Sequence, residues 1–184
     1  MPRHGKDGKP MSRRPESGEF AAYYATYVNR VPHDDVLTVL AEQLRTVPQA
    51  LHGISEEKSL HRYAPGKWSI RELLHHVNDC ERVFAFRALW FARGFDSALP
   101  GFDENAGAVA AQSDLFPWAD RVEEFTTVRR ATLSLLRNLP DGAWTRQGIA
   151  NGNPFSVRAL AFIVAGHVEH HLAILRERYL GAGV

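Results

Sequence analysis

The sequence predicts an all-α fold, a four-helix bundle, on three observations. Four long segments space apolar residues in three- and four-residue steps, strand-like alternation is scarce, and Gly- and Pro-rich breaks separate the segments. The first helix is expected over about residues 34–52, with Val36, Leu37, Leu40, Leu44, Val47 and Leu51 as its stripe, Asp34 or Asp35 as cap and Gly53 as stop. The second is expected over about 69–93. Ser69-Ile70-Arg71-Glu72 is a capping box, in which the hydroxyl and the carboxylate each accept an otherwise orphaned backbone N–H, and Gly94 ends the helix.

The third helix is expected over about 117–139, where Pro117 suits the first turn and Val122, Phe125, Val128, Thr132, Leu135 and Leu136 form the stripe. Pro140-Asp141-Gly142 breaks it. The fourth opens on Ser156 as cap and runs to about 180, before Gly181-Ala182-Gly183. Shorter helices fit 21–28 and 104–112. The first and second helices, like the third and fourth, are joined by about fifteen residues, whereas 94–116 gives more than twenty between the second and third. That long connection can cross the whole bundle, so the second and third helices are expected to run parallel, in an up-down-down-up order.

The 184 residues, 45% hydrophobic and 23% charged, suit one domain with a real core. Arg3, Lys6, Lys9, Arg13 and Arg14 face only Asp7 and Glu16, among Pro2, Gly5, Gly8, Pro10 and Pro15. Residues 1–18 are therefore expected as a basic, flexible tail and 19–184 as the domain. The tail could touch nucleic acid, but a solvated tail is the commoner outcome, and the net charge of +1 argues neither for nor against an anionic partner. No apolar segment follows the basic start as in a secretory signal, and the longest apolar run, Leu160 to Ala165, is too short to span a bilayer. Cys80 is the only cysteine, so no intrachain disulfide forms and a reducing, cytoplasmic setting is expected.

Within "GHVEHHLAILRERYL" three histidines fall in five positions. At ~100° per residue, His167 and His171 share the apolar face of Leu160, Ile163, Val164 and Ile174, whereas His170 sits at its edge. An i, i+4 histidine pair can clamp one metal ion from a rigid helix. A third ligand is available on the second helix: His76 lies near the core face set by Leu73, Val77, Cys80, Phe84 and Phe91, and His75 points to solvent. If the second and fourth helices are antiparallel, His76 and His171 lie within ~3 Å of the same level. Three histidines leave coordination positions open, the pattern of a catalytic rather than a closed site. The bland alternative is a set of core-edge histidines bonded to backbone or carboxylates.

Other residues have two readings each. Cys80 could be a thiolate ligand but is expected as a buried core residue. Glu72 and Asp79 flank His76 by one turn and could orient its second nitrogen, or stand on the surface. Arg87 and Arg178 fall on inward sides, where a guanidinium could hold an anionic substrate; pairing with Glu81, Glu123 or Glu124 is the alternative. Trp68, Trp90, Trp118 and Trp144 are expected to pack the bundle ends.

The segments "YAPGKWSIRELLHHVNDCERVFAFRALWFARG" (63–94), "LPGFDENA" (99–106) and "SVRALAFIVAGHVEHHLAILRERY" (156–179) resemble the DinB-like, or YfiT-like, metal-binding four-helix-bundle proteins. The resemblance runs from about Tyr23 to Leu180. It implies an up-down-down-up bundle, a homodimer, and one divalent metal, zinc or nickel first, held by His76, His167 and His171. It also implies a metalloenzyme that activates a low-molecular-weight thiol, as in S-transferases, or water, as in hydrolases, on a small electrophilic substrate. A non-catalytic metal-binding stress-response protein is the alternative. Fold and ligand set do not transfer a substrate.

Overall fold

The computed structural model describes residues 13–181. The short helix α1 (Ala25–Val28) follows two 3-10 turns, and α2 (Val36–Leu51), α3 (Glu56–Ser59), α4 (Ile70–Ala92), α5 (Glu104–Ala111), α6 (Trp118–Arg137) and α7 (Val157–Ile174) follow in order. The four long helices are those expected from periodicity, with ends within a few residues. Their starts rest on the caps read in the sequence. Asp35 accepts from the Leu37 N–H, Ser69 and Glu72 form the capping box, and Ser156 accepts from the Ala159 N–H. Pro117 is the cap of α6 rather than its first helical residue.

Two departures matter. Strands β1 (Gln147–Ala150) and β2 (Asn153–Ser156) form an antiparallel hairpin that precedes α7. Its turn is Asn151-Gly152, with φ of 49° and 72°, the left-handed backbone that a two-residue turn requires. The hairpin is tied to its surroundings by Phe20 bridging Phe155 and by Leu99 exchanging backbone bonds with Ile149 and Asn151. The second departure is at the end of α7, which continues as a π turn over Leu175–Tyr179. Each residue there advances the wheel by less than in an α-helix, which brings Tyr179 inward and leaves Arg178 exposed. Arg178, expected to face in, therefore does not.

Of the expected basic tail, residues 1–12 lie outside the described residues. Arg14 is anchored rather than free: it donates to the carbonyls of Val28 at 2.7 Å and Val31 at 2.8 Å, and pairs with Asp34 at 2.9 Å. Glu19 is buried, where it binds Ser156 Oγ and Arg158 Nε, each at 2.6 Å.

Along α4 and α6 the paired residues ascend together: His75 meets Arg121, Asn78 meets Arg121 and Glu124, and Glu81 meets Arg129. The connection between them returns to the start of α4, where Asp114 accepts from Ser69 Oγ at 2.6 Å and from Arg62 Nη2 at 2.6 Å. Arg71 fixes the same return by donating to the carbonyls of Asp114 and Phe116.

One polar group joins all four long helices. Arg129 on α6 has no exposed surface; its Nε and Nη2 each stand 2.8 Å from the Glu81 carboxylate on α4. Its Nη1 donates to Gln43 Oε1 and to the Leu40 carbonyl on α2. Gln43 Nε2 in turn donates to the Ala165 carbonyl at 3.0 Å and to Glu169 at 2.7 Å on α7. A buried charge stripped of its partner is heavily penalised. Glu81→Ala, which strands Arg129, is expected to cost about 3–5 kcal/mol in urea unfolding. A loss below about 1 kcal/mol, the size of a surface pair, would contradict the role of this network.

Candidate metal centre

α4 and α7 place three imidazoles at one level in the bundle. His76, His167 and His171 are 6%, 5% and 9% exposed. The Nε2 of His167 stands 3.1 Å from that of His76 and 3.0 Å from that of His171. Ligands about 2.1 Å from a tetrahedral zinc ion stand roughly 3.4 Å from one another; these two separations lie near that value, and all three donor atoms lie within 4.8 Å of one another, a grouping that could hold a single ion. The expected coincidence of levels between His76 and His171 is met, their ring centroids being 4.8 Å apart.

Burial keeps the three rings neutral. Desolvation takes His76 down to about 4 and His171 to about 3, and lowers His167 well below the usual histidine value, each effect reinforced by neighbouring histidines. Neutral rings present lone pairs. His167 Nε2 faces two other Nε2 atoms, yet one nitrogen has a single proton or a single lone pair to offer in the ring plane. Protons alone cannot satisfy both contacts well, whereas a cation can accept all three lone pairs together. The His171 Nδ1 is buried with no hydrogen-bond partner among the described residues, so that ring makes its polar contact through the Nε2 that faces the centre. The donor set therefore fits a divalent metal.

The surroundings hold the rings by shape. Trp68 packs on His76 with centroids 4.7 Å apart, and Tyr27 meets His167 edge to face at 5.2 Å. Gly166 makes the second contact possible, because a Cβ there would lie 1.9 Å from the Tyr27 carbonyl oxygen. Tyr179, turned inward by the π turn, donates its hydroxyl to the Trp68 carbonyl at 2.8 Å. A cavity of about 260 Å³ opens beside His171, with Tyr63, Lys67, Trp68, Asn105 and Tyr179 in its wall.

Several expected roles change. Cys80 is buried, as expected, with Sγ 3.6 Å from His76 Nδ1 and 3.8 Å from its Nε2; burial pushes its thiol up to about 12, and it stands outside the group of three histidines whose nitrogens converge. Glu72 is occupied by the Ser69 N–H and Arg62, and Asp79 by His75 and Arg82, so of the two readings open for them the one that orients His76 is not the one seen. His75, expected to face solvent, sits between α4 and α6, with Nε2 3.2 Å from Asp79 and Nδ1 2.9 Å from Arg121. His170 remains at the rim, with its ring 5.4 Å from that of Tyr27. Trp68 packs on the centre rather than serving only as end packing. Tyr27 and Tyr179 escaped sequence reasoning; Tyr179 was hidden by the π turn, which an ideal wheel does not anticipate.

The sequence matches the DinB superfamily over residues 40–175. A protein of Oceanobacillus iheyensis, named as a candidate metal-dependent hydrolase, is 23% identical over 129 residues, which is 70% of this chain and 74% of that protein. One of Geobacillus kaustophilus with the same designation is 25% identical over 146 residues, 76% of this chain and 79% of the other. Among solved structures, YfiT from Bacillus subtilis, described as a probable metal-dependent hydrolase with an unusual four-helix bundle topology, superposes with a TM-score of 0.70. It is 20% identical, and the match covers 78% of this chain and 83% of that one. That likeness is one of fold.

The histidine shifts set the sign of an acid effect. A histidine near 6.5 when unfolded and near 4 or 3 when folded contributes stability in full above about pH 6.5, and that contribution is lost as pH falls through the folded values. Chelator-treated protein is expected to show a falling melting temperature from pH 6.5 to 4, with a shallower fall in His171→Phe. Identical pH profiles for the two proteins would contradict the burial of neutral His171.

Proposed function

The chain belongs to the DinB superfamily, and on that premise we propose that it is a metal-dependent enzyme acting on a small molecule, with His76, His167 and His171 holding one divalent ion. The observation that carries this reading is the convergence of three buried neutral Nε2 atoms. Zinc and nickel both accept imidazole nitrogen. When bound, the ion would supply Lewis acidity that lowers the pKa of a coordinated water or thiol. The names of the relatives favour water, and so hydrolysis, as the reaction.

The chain's own residues have distinct parts in this reading. Three neutral ligands leave the full positive charge of the ion in place, which strengthens its pull on a coordinated group. Trp68, Tyr27 and Cys80 hold the rings in position, and burial excludes competing protons. The cavity beside His171 gives a small molecule access, with Asn105 and Lys67 as polar groups for it. We also infer an up-down-down-up order for α2, α4, α6 and α7, supported by the ascending pairs of α4 with α6 and by the return of the intervening connection to Ser69.

Protein purified without chelator is expected to hold about one divalent ion per chain by elemental analysis. His167→Ala should lose it and His170→Ala should keep it. Metal-dependent cleavage of small esters or amides, absent in His167→Ala, would support hydrolysis. Turnover only in the presence of an added thiol would select thiol transfer instead, and metal loss that lowers the melting temperature with no turnover in either screen would select a non-catalytic role. Retention of full metal content by His167→Ala would overturn the site.

A further inference from the structure

Among the described residues four arginines are buried, and three of them have a carboxylate. Arg71 pairs with Glu56, Arg129 with Glu81 and Arg158 with Glu19. Arg87, only 5% exposed, has none among the described residues. Its Nη2 donates to the Pro100 carbonyl at 3.0 Å and its guanidinium stands 5.7 Å from the Phe84 ring centroid, on that ring's face. The ionisable groups that influence it are the hydroxyl of Tyr24 and the thiol of Cys80, neither of which is charged at neutral pH, and desolvation lowers its pKa. The neighbouring Arg82 is already matched by Asp79 and Glu124.

Arg87 lines a cleft of about 350 Å³ between α4 and residues 99–102. Arg82, held by Asp79 and Glu124, also borders it, and Val83, Phe86, Leu99, Pro100, Gly101 and Phe102 make the rest of its wall apolar. A cation held in such surroundings without a counter-charge costs free energy that folding alone does not return. We propose that this cleft binds a small organic monoanion, a carboxylate with an apolar body, whose carboxylate takes the place of the missing partner of Arg87. Of the two guanidinium groups in the wall only that of Arg87 lacks a carboxylate among the described residues, and it sets the charge of the ligand. One carboxylate neutralises it, whereas a dianion such as phosphate would bury an excess negative charge against Phe86 and Phe102. Planar guanidinium and planar carboxylate can also form two parallel hydrogen bonds. The apolar wall takes the body of the ligand, within the reach of a phenyl-sized group.

Hydrocinnamate and its uncharged amide differ in the group that Arg87 would read. In calorimetric titrations of the full-length protein the acid is expected to bind about tenfold or more tightly than the amide. Arg87→Gln keeps a donor for the Pro100 carbonyl and removes the charge, so the preference should vanish in it. The preference should be equal in zinc-loaded and chelator-treated protein, because Arg87 is part of the polypeptide; failure of the metal reading would leave it intact. Equal affinity for acid and amide, including no binding of either, would overturn the proposal with the wild-type protein alone. A preference seen only with zinc present would place the anion on the metal and would overturn it too, as would a preference surviving in Arg87→Gln.

Discussion

The placement of Arg129 constrains the whole bundle. A guanidinium with no exposed surface has to find its counter-charge and acceptors inside, and here they come from α4 and α2, with Gln43 carrying the network on to α7. Apolar packing alone tolerates sliding of one helix along another, since one leucine replaces the next with little penalty. A forked donor facing one carboxylate and one carboxamide does not. Glu81 lies five residues beyond His76 on α4, and Gln43 reaches Ala165 and Glu169, which bracket His167 on α7. The network therefore fixes the relative register of the two helices that bring the histidines together.

The site itself depends on exclusion of water. Three imidazoles within hydrogen-bond distance would repel if protonated, and burial prevents that by disfavouring the charged form of each. Their orientation is maintained mainly by packing: Trp68 on His76, Tyr27 against His167, and the absent Cβ of Gly166 that lets the Tyr27 backbone approach. The π turn adds the hydroxyl of Tyr179, which bonds the Trp68 carbonyl and so links the far end of α7 to the segment just before α4. Carboxylates, the usual partners of metal-bound histidines, are here committed to capping α4 and to the α4–α6 interface.

The four helices and the inward direction of His76, His167 and His171 were legible in the sequence because each rests on a local rule: caps, breaks and a regular helical period. The features that were not legible break one of those conditions. His75 lies opposite the core face on a wheel, but a second helix covers that face, and a wheel describes only one helix. Arg178 and Tyr179 exchange places because the π turn changes the period after Ile174. The hairpin did have a local signal, Asn151-Gly152, but its strands are four residues each and too short for alternation to stand out. The roles of Glu72 and Asp79, open to two readings in the sequence, depend on partners from more than one place. Arg62 reaches Glu72 from the loop before α4, which spacing does not reveal, whereas His75 and Arg82 hold Asp79 from four residues before and three after it on α4 itself.

The central claim concerns which atoms surround the ion, and X-ray absorption of the zinc-loaded protein reads that shell directly. Three imidazole nitrogens at about 2.0–2.1 Å, completed by oxygen, are predicted, with no sulfur. A sulfur neighbour at about 2.3 Å, which would assign Cys80 as a ligand, or a shell with fewer than three imidazoles, would contradict the account.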